Sequence, residues 1–426
     1  MNLDITEPAK NDDMPGLDGA AAVESRTLSA AEFDLSIVDD LDTAKEDWLA
    51  FEDKAAYTSF QAYQWMHAWQ KAVRGIKRVS PLIVFGHYGG KLAFILPFAI
   101  EQRRGARRLI WFGHELADYN GPLFDPDILE RLRHDFVADI LQRVRVLVPT
   151  IDHACLAKQP ETLCGRPNPF AAFRSVPFTC GTHSAQLNGN WEEFSLAHRS
   201  ARSLRRIREK EKNLARRGDL TFRAVTSVTE STRLMDMLVT WKIAQLTARG
   251  DRAPFANAAA RRLMRHLAQA TPNNSRLRLY ALESAGEIIA LGFCLIEHGG
   301  LIYYLCAYDG RPEMARYSPG MLLLVRILKA AIDEGLEVFD FSNGDEDYKS
   351  HWIDQSEEIF VSWLPFTFKG RIAATLDRME LETIRVVKRH PTLLALANWI
   401  FRLWSNLTQR LPGRNQAAEP DPIENS

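Results

Sequence analysis

The chain has 426 residues, of which 46% are hydrophobic and 25% charged, the balance of a globular protein large enough for two domains. Its 53 Lys and Arg residues against 54 Asp and Glu residues give a net charge of −1, which excludes a globally basic nucleic-acid-binding protein. The five cysteines form no C-x-x-C pair and no zinc-ligand spacing, which predicts reduced thiols, no metal site and a cytoplasmic location.

The two ends of the chain differ in composition from its middle. Residues 1–32 are acidic, poor in large apolar side chains and without the features of a signal peptide, so we predict a disordered tail. A second disordered tail is predicted over residues 411–426. The longest apolar stretch near the C-terminus, residues 393–401, is far shorter than the roughly 18–20 apolar residues of a membrane span. We therefore expect no transmembrane segment.

The first half of the chain has the hydrophobic patterns of an α/β unit. A turn at residues 87–90 joins two of its strands into a hairpin. In chain order we predict a strand at 34–38, helices at 42–55 and 61–73, strands at 81–85, 91–100 and 107–112, a helix at 128–146 and a strand at 150–156.

The second half repeats this order. We predict a helix at 195–216, a strand at 220–225, helices at 228–248 and 256–270, strands at 278–283, 288–297 and 301–308, a helix at 319–334, strands at 337–341 and 358–368, and closing helices over 371–410. The repetition indicates two α/β units with partly antiparallel sheets, joined within residues 165–189, where Gly and Pro cluster. Dinucleotide and P-loop glycine motifs are absent, which disfavours NAD and ATP chemistry.

The stretch 316–352 carries the densest set of candidate functional residues. Ser318-Pro319-Gly320 has the features of a helix start, and the glycine leaves the first turn open for an anion to approach backbone N–H groups. Asp340 lies in the next strand, and a polar loop with Tyr348 and Lys349 follows, at a place where α/β sheets bind ligands. A capped helix start and a solvated turn without function are the alternatives.

These residues resemble the signature of the GNAT-fold acyltransferases, in Ser318-Pro319-Gly320, Asp340-Phe341-x-x-Gly344 and Tyr348-Lys349-x-x-Trp352. The resemblance is closer to the CelD-like branch, which is associated with polysaccharide biosynthesis and related to the Fem-type peptidyltransferases. It implies an α/β (α+β) fold of tandem GNAT-like domains, at 33–180 and 181–370, with mixed, mostly antiparallel sheets flanked by helices. It also implies acetyl-CoA or another acyl-CoA as co-substrate, held by the second domain.

The resemblance further implies that the residues Arg316, Tyr317, Ser318, Gly320 and Met321 bind the donor, with backbone N–H groups around the pyrophosphate. Only Arg316 and Gly320 represent the Q-x-x-G-x-G/A loop of typical GNAT enzymes, so an aminoacyl-tRNA donor stays open.

Acyl transfer from a thioester needs a group that removes a proton from the nucleophile and a group that protonates the leaving thiolate. Asp309 and Asp340 are the candidate bases, by their positions at strand ends. Tyr308 and Tyr348 are the candidate proton donors, with buried core tyrosines as the alternative. Lys349 matches a lysine that Fem-type enzymes carry after an aromatic residue, and it completes the predicted catalytic set.

Two other regions supply candidate substrate-binding residues. Residues 199–217 form a basic amphipathic helix that includes Arg205, for which a solvated face, an anion site and RNA contact all remain open. Trp111, Tyr119 and Asn120 lie in or beside a polar loop that either lines an acceptor cleft between the domains or is a plain interdomain turn. Trp352 completes the set.

The segment 385–410 mixes basic and large apolar residues, so it either packs onto the domain or lies on a membrane surface. The combined prediction is a cytoplasmic acyltransferase, with or without peripheral contact with the inner membrane, that acylates an amine or hydroxyl of a small or saccharide acceptor. A Fem-type aminoacyltransferase that uses aminoacyl-tRNA and a non-catalytic GNAT-like scaffold are the alternatives.

Overall fold

A computed structural model describes residues 27–75, 79–173, 175–251, 253–344 and 349–390. The tail predicted over 411–426, most of the tail predicted over 1–32, the closing segment beyond residue 390 and Tyr348 lie outside these described residues. Residues 27–32, predicted as part of the first tail, belong to the described structure, and Leu28 there is fully buried and forms a β-bridge with Leu132.

The first half contributes nine strands and five helices to the described structure. The strands are β1 (Asp34–Val38), β2 (Val79–Tyr88), β3 (Lys91–Arg103), β4 (Ala106–Trp111), β5 (Leu123–Phe124), β6 (His153–Pro160), β7 (Thr162–Leu163), β8 (Arg166–Pro167) and β9 (Ser175–Gln186). The helices are α1 (Leu41–Glu52), α2 (Tyr63–Val73), α3 (Pro126–Leu129), α4 (Phe136–Leu147) and α5 (Pro169–Ala172).

The second half contributes six strands and seven helices to the described structure. The strands are β10 (Leu220–Ala224), β11 (Leu277–Ser284), β12 (Glu287–Glu297), β13 (Gly300–Tyr308), β14 (Val338–Asn343) and β15 (Gln355–Pro365). The helices are α6 (Trp191–His198), α7 (Ala201–Ala215), α8 (Val228–Arg249), α9 (Ala258–Ala270), α10 (Pro312–Ala315), α11 (Pro319–Asp333) and α12 (Phe368–Arg389).

The two halves share one sheet. Its strand order is β1-β2-β3-β4-β6-β15-β9-β14-β13-β12-β11-β10, with β5 paired to β3. Neighbouring strands are antiparallel except for the pairs β4–β6 and β13–β14, which are parallel. The predicted mixed architecture, mostly antiparallel and flanked by helices, is confirmed.

Two exchanged strands form the centre of this sheet. Strand β15, from the end of the chain, pairs with β6 of the first half, and β9 pairs with both β15 and β14. The segment 165–189, predicted as a linker, therefore contains a central strand. Its Gly181 does not form a turn: a Cβ there would lie 2.8 Å from the Glu357 carbonyl oxygen, so the glycine permits close approach of β9 and β15. The predicted domain boundary at 180/181 falls inside β9.

Helices cover both faces of the sheet. On one face α1 and α2 of the first half pack in a common core with α8 and α9 of the second, and α2 lies directly against α9. On the other face α4 covers the first half, α11 covers the second, and α12 crosses the centre against β4, β6, β9 and β15. The shared core holds the loops of the first half in fixed positions against the strands of the second. Among the described residues, no helix combines the length and apolar content that crossing a bilayer requires.

The start of α12 leaves no space for a side chain at Gly370. A Cβ at this position would lie 1.9 Å from the Asp152 carbonyl oxygen, which belongs to the backbone and cannot rotate away. Gly370→Ala should therefore lower the free energy of unfolding by about 1–3 kcal/mol, as other overpacking substitutions do. Urea denaturation measures this loss. The matched substitution Gly310→Ala, at an open site without a neighbour within 4 Å, should have little effect; equal losses in both variants would contradict the packing argument.

Candidate functional site

The parallel strands β13 and β14 separate partway along their length. They pair only where Gly300–Ile302 faces Val338–Asp340, while β13 continues to Tyr308. Each strand has an extra residue just beyond this point, β13 against β12 and β14 against β9. Such bulges bend strands and are frequent next to active sites. The result is a gap in the sheet at the carboxyl ends of the two strands, where α/β sheets bind ligands.

A loop of the first half, residues 112–122, reaches the end of β14 at this gap. The Tyr119 hydroxyl donates a hydrogen bond to Asp340 Oδ1 at 2.8 Å, and the Ser342 amide donates to the same oxygen at 2.6 Å. Asp118 accepts hydrogen bonds from the Ser342 hydroxyl and from Asn343 Nδ2. The structure thus brings together Tyr119, predicted to bind substrate, and Asp340, predicted as a catalytic base.

Two lysines, the half-buried Lys158 and the buried Lys349, hold these backbone segments in place. Lys158 Nζ donates to the Ala117 carbonyl oxygen at 2.8 Å, and Lys349 Nζ donates to the Asn343 carbonyl oxygen at 2.9 Å. Both ammonium groups act electrostatically on the Asp118 carboxylate. We refer to these side chains together as the acid–lysine cluster: Asp118, Tyr119, Lys158, Asp340, Ser342 and Lys349.

Burial shifts the pKa values of three side chains in the cluster. It raises the pKa of Asp340 to about 6, although the hydrogen bonds from Tyr119 and Ser342 act in the opposite direction. Burial also raises the pKa of Asp118 and lowers the pKa of Lys158. A carboxyl group with a pKa near 6 is ionised at neutral pH and still basic enough to take a proton from a nucleophile.

The backbone is constrained at the same place. Ser342 is buried and adopts φ +62°, and Lys158 adopts φ +59°, a left-handed conformation that is unfavourable for residues other than glycine. Such conformations cost about 1–3 kcal/mol each and persist where the surroundings enforce them, which is common at functional sites. Here the hydrogen bonds of the acid–lysine cluster hold Ser342 and Lys158 in these conformations.

The N-terminus of α11 lies beside the far end of β13. The Tyr308 ring packs on Gly320, where a Cβ would lie 2.7 Å from the ring. The Met321 and Leu322 amides bond to the Ser318 carbonyl oxygen, while the Gly320 amide has no acceptor within the described part of the chain. Because the Tyr317 and Ser318 amides are also bonded to backbone, the predicted anion site rests on the Gly320 amide and the helix dipole.

Cationic side chains surround this helix tip. Lys210 Nζ donates to Ser318 Oγ at 2.7 Å. The Arg199 guanidinium stacks 4.7 Å from the Trp352 ring and lies 3.9 Å from the Met321 sulfur, and Arg316 stacks 4.7 Å from the Tyr317 ring. The basic segment and the predicted donor-binding residues therefore meet at one place, which is electrostatically suited to a phosphate or diphosphate.

Two predicted residues lie away from these groups. Asp309 is buried at the end of β13, where its carboxylate accepts a hydrogen bond from Arg311 Nε at 2.6 Å. Together with Trp241 of α8 it lines a cavity of about 720 Å³, whose lining includes no residue of the acid–lysine cluster or of the start of α11. Arg205 is on the exposed face of α7 and pairs with Glu209 one turn later.

The corresponding gap of the first half is filled by its own residues. Strands β4 and β6 pair only through Arg108 and Leu109, as β13 and β14 pair only at their start. Beyond this point the Asn120 amide bonds to the Lys158 carbonyl oxygen at 2.8 Å, and Trp111 Nε1 donates to Gln159 Oε1 at 3.3 Å. Trp111 and Asn120, predicted as substrate-binding residues, therefore occupy the first gap, while their neighbours Asp118 and Tyr119 reach the second.

The site residues predicted from the sequence do not include Asp118, Lys158, Ser342 or Lys210, although Asp118, Ser342 and Lys210 lie within segments that were singled out. Asp118 lies next to Tyr119, and Ser342 lies two residues after Asp340. Both could therefore have been found as neighbours of predicted site residues. Lys158 had a weaker signal, since it lies two residues after a predicted strand. Lys210 could have been found from the spacing of Leu204, Ile207 and Leu214, which marks the buried side of α7 and places Lys210 at its border.

Residues 200–350 match the model of the acetyltransferase (GNAT) domain family. The second half of the chain thus carries a GNAT-fold domain, and it includes α7, β13, α11 and β14. No curated protein sequence matches the chain.

Several solved structures are similar to the chain at low sequence identity. The structure of FemX matches with a TM-score of 0.53 and 9% identity, over 77% of this chain and 97% of that one. A conserved protein of unknown function from Bacteroides thetaiotaomicron matches with a TM-score of 0.51 and 11% identity, over 78% of this chain and 100% of that one. A tandem GNAT protein from the clavulanic acid biosynthesis pathway matches with a TM-score of 0.41 and 12% identity, over 78% and 98%.

Proposed function

We propose that the chain is an acyltransferase that moves an acetyl or longer acyl group from acyl-CoA to an amine or hydroxyl of an acceptor. One observation carries the proposal: the gap between β13 and β14 has a cationic helix tip at one end and the acid–lysine cluster at the other. From Ile302 to Tyr308 the strand spans about 20 Å. This distance suits an extended phosphopantetheine arm between its diphosphate and its thioester.

The residues of the gap fit such a co-substrate. The Gly320 amide and Lys210 would hold the diphosphate at the start of α11. The edge of β13 beyond Ile302 does not pair with β14, so its backbone groups are available for the amides of the arm. The co-substrate supplies the activated acyl carbonyl, which this arrangement would place beside Asp340.

Asp340 is the proposed base. The nucleophile forms a bond to the acyl carbon, and the Asp340 carboxylate takes the proton that the nucleophile loses. The carbon–sulfur bond breaks with its electron pair on sulfur, so that CoA leaves as a thiolate, which takes a proton from solvent. Tyr119 and the Ser342 amide hold Asp340 Oδ1, which leaves Oδ2 for that proton. Asp118, Lys158 and Lys349 position the loop and the strand end that meet there. Asp309 is paired with Arg311 and lines a separate cavity, so it is the less suitable base of the two predicted.

The experiment that tests the proposal follows thiol release from acetyl-CoA in the presence of amine acceptors such as glucosamine. Saccharide acceptors are tested first, because the sequence resembles the CelD-like branch, which is associated with polysaccharide biosynthesis. Amine-dependent thiol release, with acetylated product identified by mass spectrometry, is the expected result. The absence of both thioester turnover and saturable CoA binding would contradict the proposal and favour a non-catalytic scaffold.

An aminoacyl-tRNA donor is the second candidate, because the outer face of α7 displays many cations. Exposed basic residues there include Arg202, Arg205, Arg206, Arg208 and Lys212. Transfer from aminoacyl-tRNA in the same assay, without transfer from acetyl-CoA, would select this alternative.

A further inference from the structure

Helix α12 has an apolar outer face. Five large apolar side chains recur at helical spacing along it and are between 45% and 79% exposed: Phe368, Ile372, Leu376, Met379 and Val386. They form one stripe, here called the α12 stripe, which is about 27 Å long at 1.5 Å per residue. A continuous apolar strip of this kind on a surface marks a binding surface more often than isolated exposed residues do.

The opposite face of α12 packs on the sheet, so the stripe faces away from the sheet. Ala373, Ala374 and Leu381 are buried against the sheet, and the buried Asp377 carboxylate pairs with Arg104 Nη1 at 2.8 Å and Arg108 Nη1 at 3.1 Å. The helix therefore cannot rotate to bury the stripe. No element of the described chain covers these five side chains, since all of them are exposed.

The surroundings of the stripe are basic. Lys369, Arg371 and Arg378 are exposed along its edges. The sequence of α12, from residue 368 to residue 389, holds six Lys and Arg residues against three Asp and Glu, although the whole chain has a net charge of −1. Covering an apolar strip with protein does not require this concentration of positive charge, whereas an anionic lipid surface complements it.

We propose that the α12 stripe docks on a bilayer that contains anionic phospholipids. The helix lies in the plane of the surface, with the five apolar side chains below the headgroups and the basic side chains against lipid phosphates. This proposal does not depend on the acyltransferase proposal. The two together describe an enzyme that works at a membrane surface and can reach acceptors carried by lipids.

Co-sedimentation of the full-length chain with lipid vesicles tests the proposal. Vesicles of two parts phosphatidylcholine to one part phosphatidylglycerol should bind the chain, and vesicles of phosphatidylcholine alone should bind it about tenfold less. Raising the ionic strength from about 0.1 M to about 0.5 M should weaken the binding. The variant Ile372→Glu/Leu376→Glu should reduce binding at least about tenfold, because it places charges in the apolar face.

A matched control is available on α4, where Val146 is 76% exposed. Val146→Glu should bind vesicles as the unsubstituted chain does, and circular dichroism should show that all variants are folded.

Three results would overturn the proposal. They are no binding to anionic vesicles, binding that the stripe variant retains in full, and binding that appears only after removal of residues 391–426, which would show that this segment covers the stripe. Dimerisation that the stripe variant abolishes, without vesicle binding, would assign the stripe to a second copy of the chain.

Discussion

Asp340→Asn should lower kcat/KM for acyl transfer by about 10²- to 10⁴-fold, the usual contribution of a general base, without unfolding the chain. Asparagine keeps an oxygen that can accept the hydrogen bonds from Tyr119 and the Ser342 amide. It cannot take a proton from the nucleophile. The kcat/KM of the unsubstituted chain should rise with pH through about 6, because the pKa of Asp340 is about 6 and the ionised form is the base.

The same substitution has a predicted effect on stability. A carboxyl group whose pKa is raised from about 3.9 in the unfolded chain to about 6 in the folded chain opposes folding once it ionises. Between about pH 4 and pH 6 the unsubstituted chain should therefore lose on the order of 3 kcal/mol of stability relative to Asp340→Asn. Urea denaturation of both proteins across this range measures the difference.

Asp333→Asn, at the exposed end of α11, is the matched control and should retain activity. Full turnover by Asp340→Asn would remove Asp340 as the base. It would then direct attention to Asp118, whose carboxylate belongs to the same cluster.

Asp377→Ala should lower the free energy of unfolding by about 3–5 kcal/mol, the cost of breaking a buried ion pair from one side. Its carboxylate is 5% exposed and pairs with Arg103, Arg104 and Arg108, of which Arg108 is itself 8% exposed. Removing the carboxylate leaves the Arg108 charge buried beside Glu101 as its remaining partner. The loss also frees α12 from the first half of the sheet.

The effect of pH on this pair has the opposite sign. Burial raises the pKa of Asp377, but His153 and Arg108 more than offset it, so that the pKa lies below its usual range. The stabilisation is therefore present at neutral pH and decreases as the pH falls through the folded-state pKa. Glu380→Ala, which removes a 38% exposed carboxylate from two of the same arginines, should cost less than about 1 kcal/mol. Equal losses in urea denaturation for the two variants would contradict the assignment of Asp377 as the buried anchor.

Local signals determined which parts of the fold could be predicted. The helix predicted at 319–334 is observed as Pro319–Asp333, and the strand predicted at 301–308 as Gly300–Tyr308, because periodicity and capping are properties of neighbouring residues. The helix predicted at 195–216 is interrupted, since Arg199 and Ser200 separate α6 from α7. Strand β9 was missed because its glycine and proline resemble a linker, and its partners lie far away in sequence.

The same distinction between local signals and long-range contacts applies to the residues of the candidate site. Asp340 could be selected from its position near a strand end, and Tyr119 and Lys349 from the polar loops that follow strands; the structure places all three in one cluster. Asp118 and Lys158 join them only because the two halves share a sheet, and this sharing depends on pairing between β15 and β6. A contact between residues more than 200 positions apart leaves no periodic pattern in either segment.

Isothermal titration of CoA tests the central claim most directly, that the start of α11 binds the diphosphate of an acyl carrier. We expect saturable binding to the unsubstituted chain and binding about tenfold weaker to Lys210→Ala, which removes one charged hydrogen-bond donor from the helix tip. Lys212→Ala, an exposed change on the same helix, should bind CoA as the unsubstituted chain does. Absence of saturable CoA binding, or equal weakening by both substitutions, would contradict the claim.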